Sequence, residues 1–190
     1  MVKKAVSALF SAIAVLIIAA VVLAVLYRWY EKISYRTEYS ELVETYSQEY
    51  GIDKNFVYAV IRTESNFDPN AVSDAGAIGL MQMIEDSFDW VSEKLGETEL
   101  EFEDLFQPEH SIRFGCYLLS FLYQRYGNYE LTAAAYHSGM GEVDGWLASG
   151  AVNRASPDIT SFSGSNTRNY VYKVMKAFEK YNKIESNERN

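Results

Sequence analysis

The residues best placed for chemistry lie in "RTESNFDPNAVSDAGAIGLMQM", positions 62–83. Glu64 closes an apolar run: Val57, Val60 and Ile61 precede it by seven, four and three residues. Those offsets share one helix face. Glu64 therefore stands at the end of an apolar stripe, where a carboxyl is partly desolvated and its pKa rises. Such a glutamate can hold a proton near neutral pH and give it to a leaving group. The competing reading is a helix end whose carboxylate turns to water. Ser65-Asn66 and Asp68-Pro69 stop the helix. Gly76 and Gly79 permit unusual backbone angles or the close approach of a ligand. Gln82 offers both a donor and an acceptor, and Met81 and Met83 suit a groove or a core alike.

The elements that must position these residues follow from periodicity and punctuation. From about residue 38, Leu42, Val43, Tyr46 and Tyr50 recur at helical spacing up to Gly51. Asp53 is a good N-cap for a helix over about 54–65. A polar loop over 66–79 and a helix over about 86–95 come next, then an acidic, irregular stretch over 97–108. Ile112, Cys116, Leu119, Leu122, Tyr123 and Tyr126 mark a strongly amphipathic helix over 109–126. Cys116, the one cysteine, reads as a small buried apolar residue on that stripe. A helix over 130–137 is expected to break at Gly139 and Gly141, with a short helix over about 142–148, a loop over 151–167 and a last helix over 168–181. The tail 183–190 is expected to fray. No strand pattern appears, and residues 38–182 read as one mostly α domain.

Residues 6–27 carry no charge. Twenty-two helical residues reach about 33 Å, enough for a bilayer core of roughly 30 Å. Lys3 and Lys4 precede the run within a short flank, 1–5, and Tyr27, Trp29 and Tyr30 follow it as an interfacial belt would. The run is longer than a signal-peptide core and ends in bulky residues, so the expectation is an uncleaved single-pass anchor with a juxtamembrane linker over 28–37. Flanking positive charge is nearly balanced and does not orient it. Setting aside the two flank lysines, the net charge of −9 leaves −11 on residues 28–190. That excess argues against nucleic acid and anionic lipid surfaces as partners and leaves a polysaccharide open.

The pattern E-S-x-F-x-P-x-A-x-S-x-x-G-A-x-G-L-M-Q over 64–82 resembles the first signature of the soluble lytic transglycosylase family, which acts on bacterial peptidoglycan. "AAAYHSGMGEVDGWL" (133–147) is similar to its second block, the helix 109–126 to its intervening helix, and "TRNYVYKVM" (167–175) to its closing helix. The resemblance implies a mostly α, lysozyme-like domain, as in goose-type lysozymes and lytic transglycosylases, carrying a glycan groove. It implies a lyase of the cell wall that needs no metal or organic cofactor. Glu64 would protonate the glycosidic oxygen between N-acetylmuramic acid and N-acetylglucosamine, then take a proton from the muramic 6-hydroxyl as that oxygen attacks C1. The product is a 1,6-anhydro sugar. By position, Ser73, Gln82, Tyr136, His137 and Asn166 would contact substrate.

This mechanism bears on the lack of a second acid. Ordinary glycosidases use two carboxyl groups, but a substrate hydroxyl held in place gains by proximity and can replace one. The nearby Asp68, Asp74, Glu85 and Asp86 lack an apolar setting; Asp68 and Asp86 read better as turn or cap residues. The chain also departs from the family pattern. His137 stands where Asn is usual, Ser138 for Ala, Met140 for Pro, Ile84-Glu85 for Met-Pro, and Asn166 where a Glu often precedes Thr-Arg. Two alternatives follow: hydrolysis on the same fold, and a non-catalytic peptidoglycan-binding module. The anchor could also tie the domain to a larger envelope assembly, and nothing in the sequence selects one.

Overall fold

The structure, a computed structural model, describes the chain from Val2 to Arg189, with side chains described at 13–31, 33–187 and 189. The flank lysines Lys3 and Lys4 thus lie outside the described side chains. The chain divides between Arg36 and Thr37 into two compact units.

The first unit is a single helix, α1 (Val2–Ser34). Its stretch Ile13–Glu31 has a mean hydropathy of 2.3 and is long and apolar enough to cross a membrane. The described side chains along it, from Ile13 through Leu16, Ile18, Leu23 and Leu26, are exposed. Water does not tolerate such a surface on an isolated helix, so α1 needs lipid or protein around it. Tyr27, Trp29 and Tyr30 close the stretch and are exposed as well.

The second unit is helical, and among the described residues it contains no extended strand, only the bridges Val72–Ile78 and Ile78–Met83. Its helices are α2 (Ser40–Tyr50), α3 (Lys54–Glu64), α4 (Glu85–Leu95), α5 (Pro108–Tyr126), α6 (Tyr129–Ser138), α7 (Met140–Ala148) and α8 (Ser165–Glu188). Gly51, Gly96 and Gly127 stop α2, α4 and α5 in the left-handed conformation. The Asp53 side chain caps α3 by accepting from the Asn55 N–H. Pro108 opens α5 at a position where its missing N–H is harmless.

α3 is the central element. Asn55 through Ile61 are all buried, and the helix packs along both α2 and α8. At its start Phe56 meets Tyr129 of α6 at 4.6 Å and Phe178 of α8 at 5.4 Å between ring centroids. Tyr58 stands 5.5 Å from Tyr181. Asn55 is 5% exposed, and its amide donates to Asn182 at 2.9 Å and to Glu185 at 2.8 Å. Asn55→Ala is expected to cost about 2 kcal/mol, since one lost bond goes to a charged acceptor. Urea denaturation measures this, and a loss under about 0.5 kcal/mol would remove Asn55 from the account of how α3 is held.

Three expectations need correction. Gly141 does not break the chain. Only Gly139 does (φ 85°), and Gly141 lies inside α7, in open space. Residues 183–188 do not fray. α8 runs on to Glu188 because Glu185 receives Asn55, Lys54 and Arg189. Asp86 is not the cap of α4. Ile84 holds that position without a side-chain bond, and Asp86 lies in the first turn, where a carboxylate suits the helix dipole. The acidic stretch 97–108 also holds one ordered piece, a 3-10 turn at Phe102–Phe106, whose Leu105 is fully buried. Cys116 is fully buried, as its stripe implied.

Candidate active site

Glu64 is the last residue of α3, and the chain reverses immediately after it. Asn66 (φ 50°) and Phe67 (φ 67°) both take left-handed backbone angles. For a residue such as Phe this costs roughly 1–2 kcal/mol; Phe67 offsets it by burying its ring, 3% exposed. The reversal lays the loop 66–84 back along the end of α3. The Ser65 hydroxyl donates to the Leu80 carbonyl at 2.8 Å and ties the two strands of the turn together.

The loop is built around close backbone approaches. Gly79 (φ 76°) lies against the 3-10 turn, where a Cβ would strike the Leu105 carbonyl oxygen. The Met81 N–H donates to the buried Ser111 hydroxyl of α5 at 3.1 Å. Met81 itself is fully buried and packs on Gly115, and Met83 is 3% exposed, so both methionines are core rather than groove residues. Gln82 (φ 46°) folds inward, its amide nitrogen donating to Ala71 O at 2.9 Å and Gly79 O at 3.0 Å. Ser73 Oγ accepts from the Ala77 N–H at 3.0 Å. Ser73 and Gln82 thus shape the loop through their own side chains.

Two helices complete the surroundings of Glu64. From α8, the Tyr170 hydroxyl donates to Glu64 Oε1 at 2.6 Å. From α6, the Tyr136 hydroxyl donates to the Met81 carbonyl at 2.7 Å, joining that helix to the loop. His137, next in α6, lies flat against the Tyr170 ring, 4.4 Å between centroids and 12° between planes. Asn166 is exposed on the first turn of α8, one turn before Tyr170.

Burial dominates the electrostatics. It raises the Glu64 carboxyl from its ordinary value near 4.5 to about 7, outweighing the Tyr170 hydrogen bond, which pulls the other way. The phenols of Tyr170 and Tyr136 are pushed well above their ordinary range, by burial first and the Glu64 charge second. Burial pushes the His137 imidazole below its ordinary value. Near neutral pH the site therefore holds an acid able to keep or release its proton, beside two phenols that stay protonated. Asp68, Asp74, Glu85 and Asp86 are all exposed, and the Asp68 carboxylate accepts from the Asn70 N–H in a turn. Of the nearby acids, only Glu64 is desolvated.

Tyr170 is the site residue that helix phase, punctuation and motif together passed over. Its burial was readable, because Tyr170, Val174, Ala177 and Tyr181 form one stripe along α8. Its partner was not, because 106 residues separate it from Glu64. Tyr170→Phe removes a donor that favours the carboxylate, so the Glu64 pKa should rise above about 7. If Glu64 is the acid, the maximal rate should fall roughly tenfold to hundredfold, the value of a hydrogen bond to a charge. A rate profile against pH checks both; a basic limb that stays in place would separate Tyr170 from the reacting carboxyl.

A half-buried, protonatable glutamate, set between a glycine-bearing loop and two helices of a mainly helical unit, is what the sequence signature would require. The family described as the transglycosylase SLT domain matches residues 41–157, and the chain belongs to it. Among its relatives is membrane-bound lytic murein transglycosylase C of Actinobacillus pleuropneumoniae serotype 5b, 34% identical over 166 residues, covering 76% of this chain and 46% of that one. The soluble lytic murein transglycosylase of Salmonella typhimurium is 32% identical over 146 residues, covering 75% and 22%. The chain thus spans less than half the length of these relatives. Among solved structures, the 70 kDa soluble lytic transglycosylase of Escherichia coli superposes with a TM-score of 0.73 at 27% identity, covering 83% of this chain and 26% of that one. An inactive Glu-to-Gln mutant of lytic transglycosylase Slt from Pseudomonas aeruginosa gives 0.73 at 26%, covering 82% and 26%.

Proposed function

We propose that the protein is a peptidoglycan lytic transglycosylase in which Glu64 is the single acid and base. The observation that carries this is the Glu64 carboxyl itself: desolvated, poised near neutrality and supplied with a phenol donor, while the carboxylates around it are in water. The relatives' names and the inactive Glu-to-Gln mutant support the reading. Glu64 gives its proton to the oxygen linking N-acetylmuramic acid to N-acetylglucosamine, and the bond from C1 to that oxygen breaks. The muramic 6-hydroxyl oxygen bonds to C1, and its proton returns to Glu64. No water is consumed, and the enzyme ends as it began. The Tyr170 hydroxyl stabilises the carboxylate between the two transfers. Ser73, Gln82, Tyr136, His137 and Asn166 are proposed to line the groove, Ser73 and Gln82 chiefly by fixing the loop.

Product mass tests the reaction. Purified cell wall treated with the protein should release fragments ending in 1,6-anhydro-muramic acid; fragments one water heavier would mean hydrolysis, and binding without release a non-catalytic module. We further propose that α1 crosses the membrane once and leaves the second unit on the outer face. Protease added outside intact spheroplasts should remove that unit, and its full protection would reverse the orientation.

A further inference from the structure

We propose that His137 is a positioning residue for the reaction at Glu64, its imidazole lying over Tyr170 and keeping groove water off the hydroxyl–carboxyl pair. The inference extends the reading of Glu64 as the acid and rests on it. Its basis is a layered order. Glu64 is bonded to the Tyr170 hydroxyl, and Tyr170 is only 7% exposed. His137, stacked on that ring at 4.4 Å and 12°, is itself exposed. The imidazole is thus the outermost plate over a buried phenol. Tyr170 is already seated by the packing of α8, so His137 is not needed to place it. What a flat ring adds there is exclusion of water from the outer face, where solvent would otherwise favour the charged carboxylate.

The imidazole is held in that place from both sides. Tyr136 before it is bonded to the Met81 carbonyl, and Ser138 after it donates to Ala134 O at 2.7 Å. It is also suited to the task because burial disfavours its charged form. An imidazolium at this position would draw the proton off Glu64, and burial holds His137 below its ordinary value. The ionisable groups coupled to Glu64 are Tyr170 of α8 and Tyr136 of α6, both neutral. Ser65 at the end of α3 and Ser73 and Gln82 of the loop carry no charge, and the loop's acids Asp68 and Asp74 are exposed. The Asn usual here in the resembling family has no aromatic face to lay on the phenol.

The test uses the full chain in detergent micelles, labelled with carbon-13 glutamate, and compares wild type with His137→Ala and His137→Phe. Carboxyl NMR reads the Glu64 titration midpoint, and release of anhydro-muropeptides from purified wall gives the rate against pH. In His137→Ala the Glu64 acid constant should grow roughly tenfold. The rate at pH 7 should fall roughly fivefold as the basic limb moves to lower pH. His137→Phe keeps a flat ring and should leave the midpoint and the limb in place. A midpoint in His137→Ala that stays or rises overturns the proposal, as does a shift in His137→Phe equal to that of His137→Ala. If wild type releases no anhydro product, the acid role of Glu64 fails, while the NMR midpoint still decides whether His137 shields the carboxyl.

Discussion

Glu64→Gln should abolish release of anhydro-muropeptides and, at the same time, stabilise the fold in alkaline solution. On the first count, a glutamine cannot donate or accept the proton, so the expected loss is on the order of a thousandfold or more. The second count follows from linkage. The folded-state pKa of Glu64 is raised, from 4.5 to about 7. A raised acid binds its proton more tightly in the folded chain, so its contribution is fully present below about pH 4.5 and is lost as pH rises through about 7. Above that range wild type must hold a desolvated charge, at a cost of about 3 kcal/mol. Gln carries no such cost. Urea denaturation should therefore show the two proteins nearly equal at acid pH and the variant ahead by about that amount above pH 8. Wild-type product from the variant would remove Glu64 from the mechanism, and a stability difference independent of pH would mean that its carboxyl is solvated.

Gly79→Ala should be the most damaging single-methyl change near the site. Gly79 takes φ 76°, which costs an alanine roughly 1–2 kcal/mol, and the new Cβ would meet a backbone carbonyl rather than a movable side chain. Leu105 is fully buried in the cluster that includes Ile78, Met83, Phe88 and Phe114, so the 3-10 turn cannot easily retreat. Together the two effects should cost about 3 kcal/mol or more. Activity should fall further than stability does, because the displaced loop carries the Gly79 carbonyl that holds Gln82. Gly115→Ala is the useful contrast. Its Cβ would meet Met81 at Cε (2.5 Å), Sδ (2.7 Å) and Cγ (2.8 Å), a side chain that must change rotamer to make room, whereas at Gly79 the obstacle is backbone and its φ is positive. Equal melting temperatures for Gly79→Ala and wild type would show that the loop has another resting place.

Most of the helical framework was legible because its signals are local. Apolar spacing located α3 and α5, Asp53 marked the start of α3, and Gly51, Gly96 and Gly127 marked helix ends. The phase of Glu64 on α3 was local too, and it anticipated the desolvation that the structure shows. What escaped depends on distant partners. Gly141 reads as a breaker by composition, yet in an exposed turn of α7 it costs only the modest penalty of a helical glycine. The continuation of α8 past residue 182 depends on Asn55 and Lys54, more than a hundred residues earlier. Ser73 fell within the loop read over 66–79 and Gln82 just beyond it, but that their polar atoms turn on the loop itself could not be read from their types. The stack of His137 on Tyr170 joins two helices whose relative seating no periodicity encodes.

The grip of α8 on α3 also sets an order of assembly. Tyr170 reaches back 106 residues to Glu64, and at the other end of α3 Asn182 and Glu185 reach back 127 and 130 residues to Asn55. Contacts that close such long loops form late, after local helices and neighbouring pairs. During synthesis, a chain that has emerged only as far as α7 already contains Glu64 and its whole loop, but lacks the Tyr170 phenol that donates to it. A nascent chain released early, or clipped before α8, would carry the 64–82 pattern without Tyr170, the donor to Glu64. Docking of the final helix is thus the step that gives Glu64 its phenol partner.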